Sequence, residues 1–172
     1  KIKGIYHKEN LPNYGVFDEK RYFSQGKNNS LFSWGTTVLG VNICEDIWVP
    51  KGTYYHQAKK GAKILINISC SPYDVGKLEE RRKLLIQRTK ETKAHVVYVN
   101  LVGGQDELVF DGGSFIINPE GKIMALGKLF AEDLILADIK LPKRKGKKKT
   151  KAKVIELKNL SFGTLKNPLE MK

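Results

Sequence analysis

A chain of 172 residues, 41% of them hydrophobic, can bury one sizeable core, and the lack of any long apolar run or signal-type leader argues for a cytoplasmic globular domain without a membrane span. Two cysteines, Cys44 and Cys70, are too few for a disulfide framework and, without clustered histidines, make a poor zinc site, so both are read as free thiols and no resident metal or cofactor is expected. The net charge of +13 suggests nucleic acid until it is located: residues 140–153 hold nine basic groups and no acidic one, leaving 22 basic against 18 acidic elsewhere, only +4.

The chain opens on Lys1 rather than Met, which points to a longer polypeptide. A loop-rich stretch follows, Tyr6-His7-Lys8-Glu9-Asn10-Leu11-Pro12-Asn13-Tyr14-Gly15-Val16-Phe17-Asp18-Glu19, aromatic, charged and without a period. Such loops often carry function, and a plain surface crossing is the ordinary alternative. Val38 to Ile43 is then a nearly continuous β-branched run, expected as a strand buried on both faces. Cys44 closes it, and Glu45-Asp46-Ile47-Trp48 reads as the first turn of a helix, with acids suited to its N-terminus. A thiol at a strand-to-helix elbow stands clear of the sheet, beside backbone N–H groups that can receive an oxyanion. The same cysteine could instead be a buried structural one. His7 and His56 are candidate bases for it, or simply surface histidines.

Gly52 to Gly61 reads as a short helix and Ile64 to Ile68 as a second strand. Asn67-Ile68-Ser69-Cys70-Ser71-Pro72-Tyr73-Asp74-Val75-Gly76-Lys77 leaves that strand at the same sheet edge as Cys44, where substrates of parallel sheets bind. Its hydroxyls and Lys77 could grip a zwitterion, or form ordinary turn chemistry. Lys77 to Lys93, dense in Leu, Glu, Arg, Lys and Gln, is expected as a helix and Val96 to Leu101 as a third strand. The alternation of strand and helix predicts parallel crossovers and an α/β domain.

The stretch Asn100 to Ser114, with Gly103-Gly104-Gln105-Asp106-Glu107 and Phe110-Asp111-Gly112-Gly113, carries acids too irregularly spaced for a calcium loop and is read as structural support. Ser114 to Ile117 and Ile123 to Leu126 form an expected hairpin across Asn118-Pro119-Glu120-Gly121, and Leu134 to Ile139 an expected further strand. From Leu141 the pattern gives way to the basic run and a weakly patterned end, Asn159 to Lys172, which behaves like a linker.

Four ordered segments together resemble one family. They are Lys8-Glu9-Asn10-Leu11-Pro12-Asn13-Tyr14 with Phe17-Asp18-Glu19; Cys44-Glu45-Asp46-Ile47-Trp48; Ser69-Cys70-Ser71-Pro72-Tyr73 with Gly76-Lys77; and Gly104-Gln105-Asp106-Glu107-Leu108-Val109-Phe110-Asp111-Gly112 with Ser114. The resemblance is to the nitrilase superfamily, and within it to the glutamine-hydrolysing domains of glutamine-dependent NAD synthetases. It implies a nitrilase-like four-layer α-β-β-α sandwich, here N-terminally incomplete, and a Glu-Lys-Cys triad. Cys44 matches the nucleophile and Lys8 the catalytic lysine, with the Glu45 N–H assisting at the oxyanion. Tyr14, Glu45, Trp48, Ser71 and Lys77 match positions that shape the glutamine pocket. A homo-oligomer is implied as well.

Two departures accompany the resemblance. The family's general-base glutamate lies well upstream of its lysine, and the seven residues before Lys8 contain no acid. Glu19 could match a secondary acid that supports the site. Nor is there a Ser-Gly-Gly-x-Asp-Ser phosphate loop, so ATP, magnesium and deamido-NAD belong to a synthetase domain outside this chain. Residues 1–140 are thus read as a partial glutaminase domain and 141–172 as a basic linker, the whole a middle piece of a longer enzyme. Two rivals are a free-standing amidase or carbamoylase, and a module whose basic run engages RNA or another polyanion. The run lacks interleaved aromatics, and nucleic acid is not expected as a partner.

Overall fold

Three parallel strands form the centre of the molecule. The computed structural model describes residues 2–27, 30–141 and 154–157. In it β2 (Thr37–Ile43), β3 (Ile64–Ser69) and β4 (His95–Asn100) lie side by side, joined by α2 (Thr53–Lys59) and α3 (Lys77–Thr92). The expected strand–helix alternation is therefore present, each boundary within a residue or two. On one flank β4 pairs antiparallel with β7 (Phe115–Ile117), and β7 with β8 (Ile123–Leu126), the expected hairpin. On the other flank β1 (Leu31–Trp34) pairs antiparallel with β2 through a turn at Gly35, and parallel with β9 (Val154–Glu156). The seven strands run in the order β8-β7-β4-β3-β2-β1-β9.

Both helices cover one face. The strand side chains beneath them, Leu31, Val38, Leu65, Val96, Tyr98, Phe115 and Ile117, pack with Tyr54 of α2 and Leu85 of α3 into the core. Gly40 permits the close approach of α2: a Cβ there would stand 2.7 Å from Gln57 Oε1 and 2.9 Å from Leu65 Cδ2. The opposite face is apolar too, through Leu39, Val41, Ile43, Ile64, Ile66, Ile68, Val97 and Val99, yet Ile68 is 53% and Val99 45% exposed. Among the described residues the strands are thus sealed on one face only. Burial on both faces, as expected from their near-continuous hydrophobicity, requires a further layer, which is the logic of a sandwich.

Leu134 to Ile139 is not a strand. Instead of pairing at the sheet edge, Leu134 and Ile135 lie across the open face, where with Val97, Val99 and Ile116 they bound a cavity of about 310 Å³. The apolar residues of this segment had suggested a ladder, but Leu134 and Leu136 stay 69% and 75% exposed. The stretch after β4 is more regular than expected. Val102–Gln105 (β5) and Leu108–Asp111 (β6) form a separate two-stranded hairpin whose turn at Asp106 has φ 53°. Residues 142–153 of the basic run and 158–172 of the tail lie outside the described residues. Between them, Val154–Glu156 supplies the edge strand β9.

Helix α3 ties the sheet's carboxyl edge together. Its composition favours helix, and it stops at Lys93, which takes a left-handed φ of 54° and donates its N–H to the Thr89 carbonyl at 2.8 Å. Its buried stripe holds Arg81, Leu85, Arg88 and Thr89. Arg88 donates to the carbonyls of Ile47 at 2.9 Å and Trp48 at 2.8 Å, gripping the turn after Cys44. Arg81, fully buried, pairs with Asp111 at 2.8 Å and donates to the carbonyls of Ser71 and Pro72, each at 3.1 Å. Two buried guanidinium groups therefore fix both loops that follow β2 and β3. Removing either partner of such a buried pair typically costs about 3–5 kcal/mol.

Candidate active site

Cys44 ends β2 with a left-handed φ of 44° and begins a single 3-10 turn, Cys44–Ile47, where the sequence suggested an α-helix. A non-glycine residue in that region is strained and persists only where its surroundings hold it. Here the holder is a buried polar ladder across neighbouring strands. Asn67 on β3 donates to the Cys44 carbonyl at 3.3 Å and to Asn42 Oδ1 at 2.6 Å. Asn42 donates to Gln57 Oε1 at 3.0 Å, and Ser69 donates to Asn67 Oδ1 at 2.7 Å. The elbow is braced from below by this ladder, and the Ser69 hydroxyl, one of those that could grip a zwitterion, is committed to Asn67.

Burial pushes the Cys44 thiol above its ordinary pKa; the Lys8 ammonium, the Ser69 hydroxyl and the Cys70 N–H pull it back, and the Glu19 carboxylate opposes them. The charge of Lys8 thus reaches the Cys44 thiol although 36 positions separate the two residues in sequence. The ammonium is aimed by Glu19 on α1 (Glu19–Tyr22), to whose two carboxylate oxygens Lys8 Nζ donates at 2.6 Å each. Glu19 is therefore paired with Lys8 and within electrostatic reach of the Cys44 thiol. His7 and His56 are both exposed.

The buried carboxylate of Asp46 joins the Lys8 loop to the elbow. Its Oδ1 accepts the N–H of Asn10 at 2.8 Å, the Asn10 side-chain amide at 3.0 Å and the N–H of Glu9 at 3.2 Å. Its Oδ2 accepts the Tyr6 hydroxyl at 2.7 Å and the Ile43 N–H at 2.9 Å. In sequence Asp46 looks like Glu45, a charge at a helix start, and only the repeated pairing of the segment 6–10 with 43–46 separates them. At the base of the same loop, Gly26 donates its N–H to the Lys8 carbonyl at 2.7 Å, with no room for a Cβ beside the His7 carbonyl.

The five expected pocket residues divide into three groups. Tyr14 donates its hydroxyl to Glu45 Oε2 at 2.7 Å, and the two line a cavity of about 450 Å³ together with Glu9, Asn13 and Lys20. Burial and the Glu45 carboxylate together hold the Tyr14 phenol well above its ordinary pKa. Trp48 and Lys77 pair with each other, the Lys77 ammonium 4.3 Å from the indole centroid and 2.8 Å from Glu80, and they do not line that cavity. Ser71 faces inward: its hydroxyl accepts from Arg81 Nε at 3.3 Å and its N–H donates to Asn100 Oδ1 at 2.9 Å. Its contacts here are those of a loop anchor. Among the described residues no helix is long and apolar enough to cross a membrane, and no cluster of three or more His, Cys, Asp or Glu is placed to hold a metal.

Comparison with known proteins places this arrangement. A glutamine-dependent NAD(+) synthetase from Aquifex aeolicus is 44% identical over 147 residues, 86% of this chain and 26% of its own length. The solved glutamine-dependent NAD+ synthetase of Acinetobacter baumannii, in complex with ADP, is 43% identical with a TM-score of 0.74 over 77% of this chain and 25% of its own. A glutamate-to-glutamine mutant of the amidase from Nesterenkonia sp. AN1, solved with the acetamide moiety of fluoroacetamide covalently added at its active-site cysteine, is 29% identical, with a TM-score of 0.63 over 72% of this chain and 45% of its own. The chain spans about a quarter of the length of the NAD synthetases it matches. The carbon-nitrogen hydrolase family description matches residues 1–149, which include the elbow, the Lys8 loop and the central sheet, and the chain belongs to that family.

Proposed function

We propose that this chain carries the glutamine-hydrolysing site of a longer glutamine-dependent NAD synthetase. The observation that supports it most directly is the buried Cys44 held at φ 44° just after β2, its thiol under the charge of the Lys8 ammonium. In this reading the Cys44 sulfur attacks the side-chain amide carbon of glutamine and the amide oxygen takes on negative charge. Lys8 and the Glu45 N–H receive that charge, where preorganised donors are most effective. The carbon–nitrogen bond breaks and ammonia leaves with a proton. Water then attacks the thioester, releasing glutamate and restoring the thiol.

Tyr14 and Glu45 line the cavity of about 450 Å³ next to the elbow, whose lining includes neither Cys44 nor Lys8, and this reading assigns them to the substrate's charged amino-acid end. Glu19 is committed to Lys8, so proton removal from the thiol calls for another base, which this reading assigns to a glutamate upstream of Lys8 in the longer polypeptide. No Ser-Gly-Gly-x-Asp-Ser run occurs among the 172 residues. ATP, magnesium and deamido-NAD are accordingly assigned to a second domain, which would consume the ammonia.

The test is Cys44→Ala in the intact protein. Product formation supported by glutamine is expected to vanish while that supported by added ammonia survives. Loss of both in a folded variant would make Cys44 structural, and retention of both would remove it from the chemistry.

A further inference from the structure

We infer that Asp46 is a positioning residue, whose buried carboxylate sets the Lys8 loop and the Cys44 elbow at a fixed separation. This rests on the reading of Cys44 as nucleophile and Lys8 as the cation beside it. The geometry behind it is independent of that reading. Five donors converge on the two oxygens of Asp46, all between 2.7 and 3.2 Å, from Tyr6, Glu9, Asn10 and Ile43.

Where those donors lie in the chain matters more than their number. Tyr6 and Asn10 stand two residues to either side of Lys8, so the carboxylate grips the loop on both flanks of the lysine. Ile43 immediately precedes Cys44, so the same carboxylate grips the backbone that delivers the thiol. A fully buried carboxylate without a counter-charge is tolerated only when donors surround it. Here that requirement holds two distant segments together, because neither can leave without stranding the charge. Glu9 extends the tie to α2 by accepting the Thr53 hydroxyl at 2.9 Å.

An asparagine at position 46 would keep the shape and replace one acceptor oxygen by an amide nitrogen, a donor facing donors. The loop should then relax, and Lys8 with it. The titratable groups that act on the thiol are Lys8 and Glu19, with the Tyr14 and Tyr98 phenols within its electrostatic reach; those facing Asp46 are the neutral Tyr6 phenol and the Glu9 carboxylate. Substitution at 46 should therefore reach Cys44 through Lys8.

The experiment follows the rate of alkylation of Cys44 by iodoacetamide against pH in the intact protein, read by peptide mass spectrometry, with exposed Cys70 as the internal reference. Lys8→Gln is expected to slow alkylation of Cys44 about tenfold at neutral pH and to move its pH profile upward. Asp46→Asn is expected to do the same, and the double variant no more than either alone. Cys70 should be unaffected in all three. If Lys8→Gln shifts the profile and Asp46→Asn does not, or if their effects add, the positioning role is overturned while the reading of the site stands. If Lys8→Gln has no effect, it is the reading of the site that fails. Should Asp46→Asn not fold, Tyr6→Phe and Asn10→Ala each remove donors and leave the carboxylate; both are expected to shift the profile part of the way. Unchanged profiles in both would also overturn the inference.

Discussion

Lys8 and Glu19 form a two-pronged ion pair, the lysine Nζ lying 2.6 Å from each carboxylate oxygen. An ammonium held this way has its direction fixed as well as its charge. Glu19→Gln keeps the lysine charged but leaves one good acceptor in place of two. The expected result is a fall in kcat for glutamine hydrolysis of about tenfold to a hundredfold, with KM little changed, because small misplacements of a reacting group are expensive. Stability should hardly move, since a partly solvated pair contributes about 0–1 kcal/mol. Steady-state kinetics with a thermal melt would separate these effects, and an unchanged kcat would show that Lys8 is aimed by something else.

The left-handed backbone at position 44 predicts an unusual order of stabilities. Cysteine and alanine both meet a steric penalty at φ 44°, whereas glycine does not. Cys44→Gly should therefore be more stable than Cys44→Ala by about 1 kcal/mol, or about 2–4 °C in melting temperature for a domain of this size. Both would be inactive. The opposite order in paired melts would mean that the elbow relaxes once the thiol is gone.

His95 at the start of β4 gives the fold a dependence on acid. Burial holds its imidazole below the ordinary value, only partly offset by a hydrogen bond to the Lys63 backbone and by the Glu120 carboxylate. The folded protein thus binds this proton less readily than the unfolded chain. Its contribution to stability is complete above the usual histidine range, about pH 6.5, and is lost as pH falls through the lower, folded value. Urea midpoints measured from pH 7.5 down to 5 should fall more steeply for the parent than for His95→Gln. Parallel curves would place the acid sensitivity elsewhere.

Much of this site was legible in the sequence because its chemistry sits at strand ends, and strand ends are marked locally. The apolar run before Cys44 and the acids after it located the elbow, and the loop around Lys8 stood out by its lack of period. What escaped notice was long-range. Asp46 reads locally like its neighbour Glu45, yet one accepts five hydrogen bonds in the interior while the other meets Tyr14 in the lining of a cavity. Arg81 lies in a run of helix formers and Asp111 in a stretch read as structural support, and the structure buries them against each other. Leu134 to Ile139 has the composition of a strand, yet it leaves the edge at β8 unpaired among the described residues and sends Leu134 and Ile135 across the open face. Hydrophobic period tells which face a residue should occupy; it does not tell which partner waits there.

The hydrogen bond from Gly26 to the Lys8 carbonyl closes a neck, so the chain between them leaves and returns at nearly one point. Residues 9 and 10 are fastened to Asp46, and beyond them the path out to Tyr14 and back is a cassette on a fixed mount. Lengthening such an excursion is cheap, each doubling costing about 0.6 kcal/mol of closure entropy. Provided Glu19 keeps its reach to the lysine, the cassette can be rewritten without moving the ammonium. On the proposed reading, Tyr14 travels with the cassette while Lys8 and Cys44 stay off it, so that one wall of the cavity can vary while the ammonium holds its place.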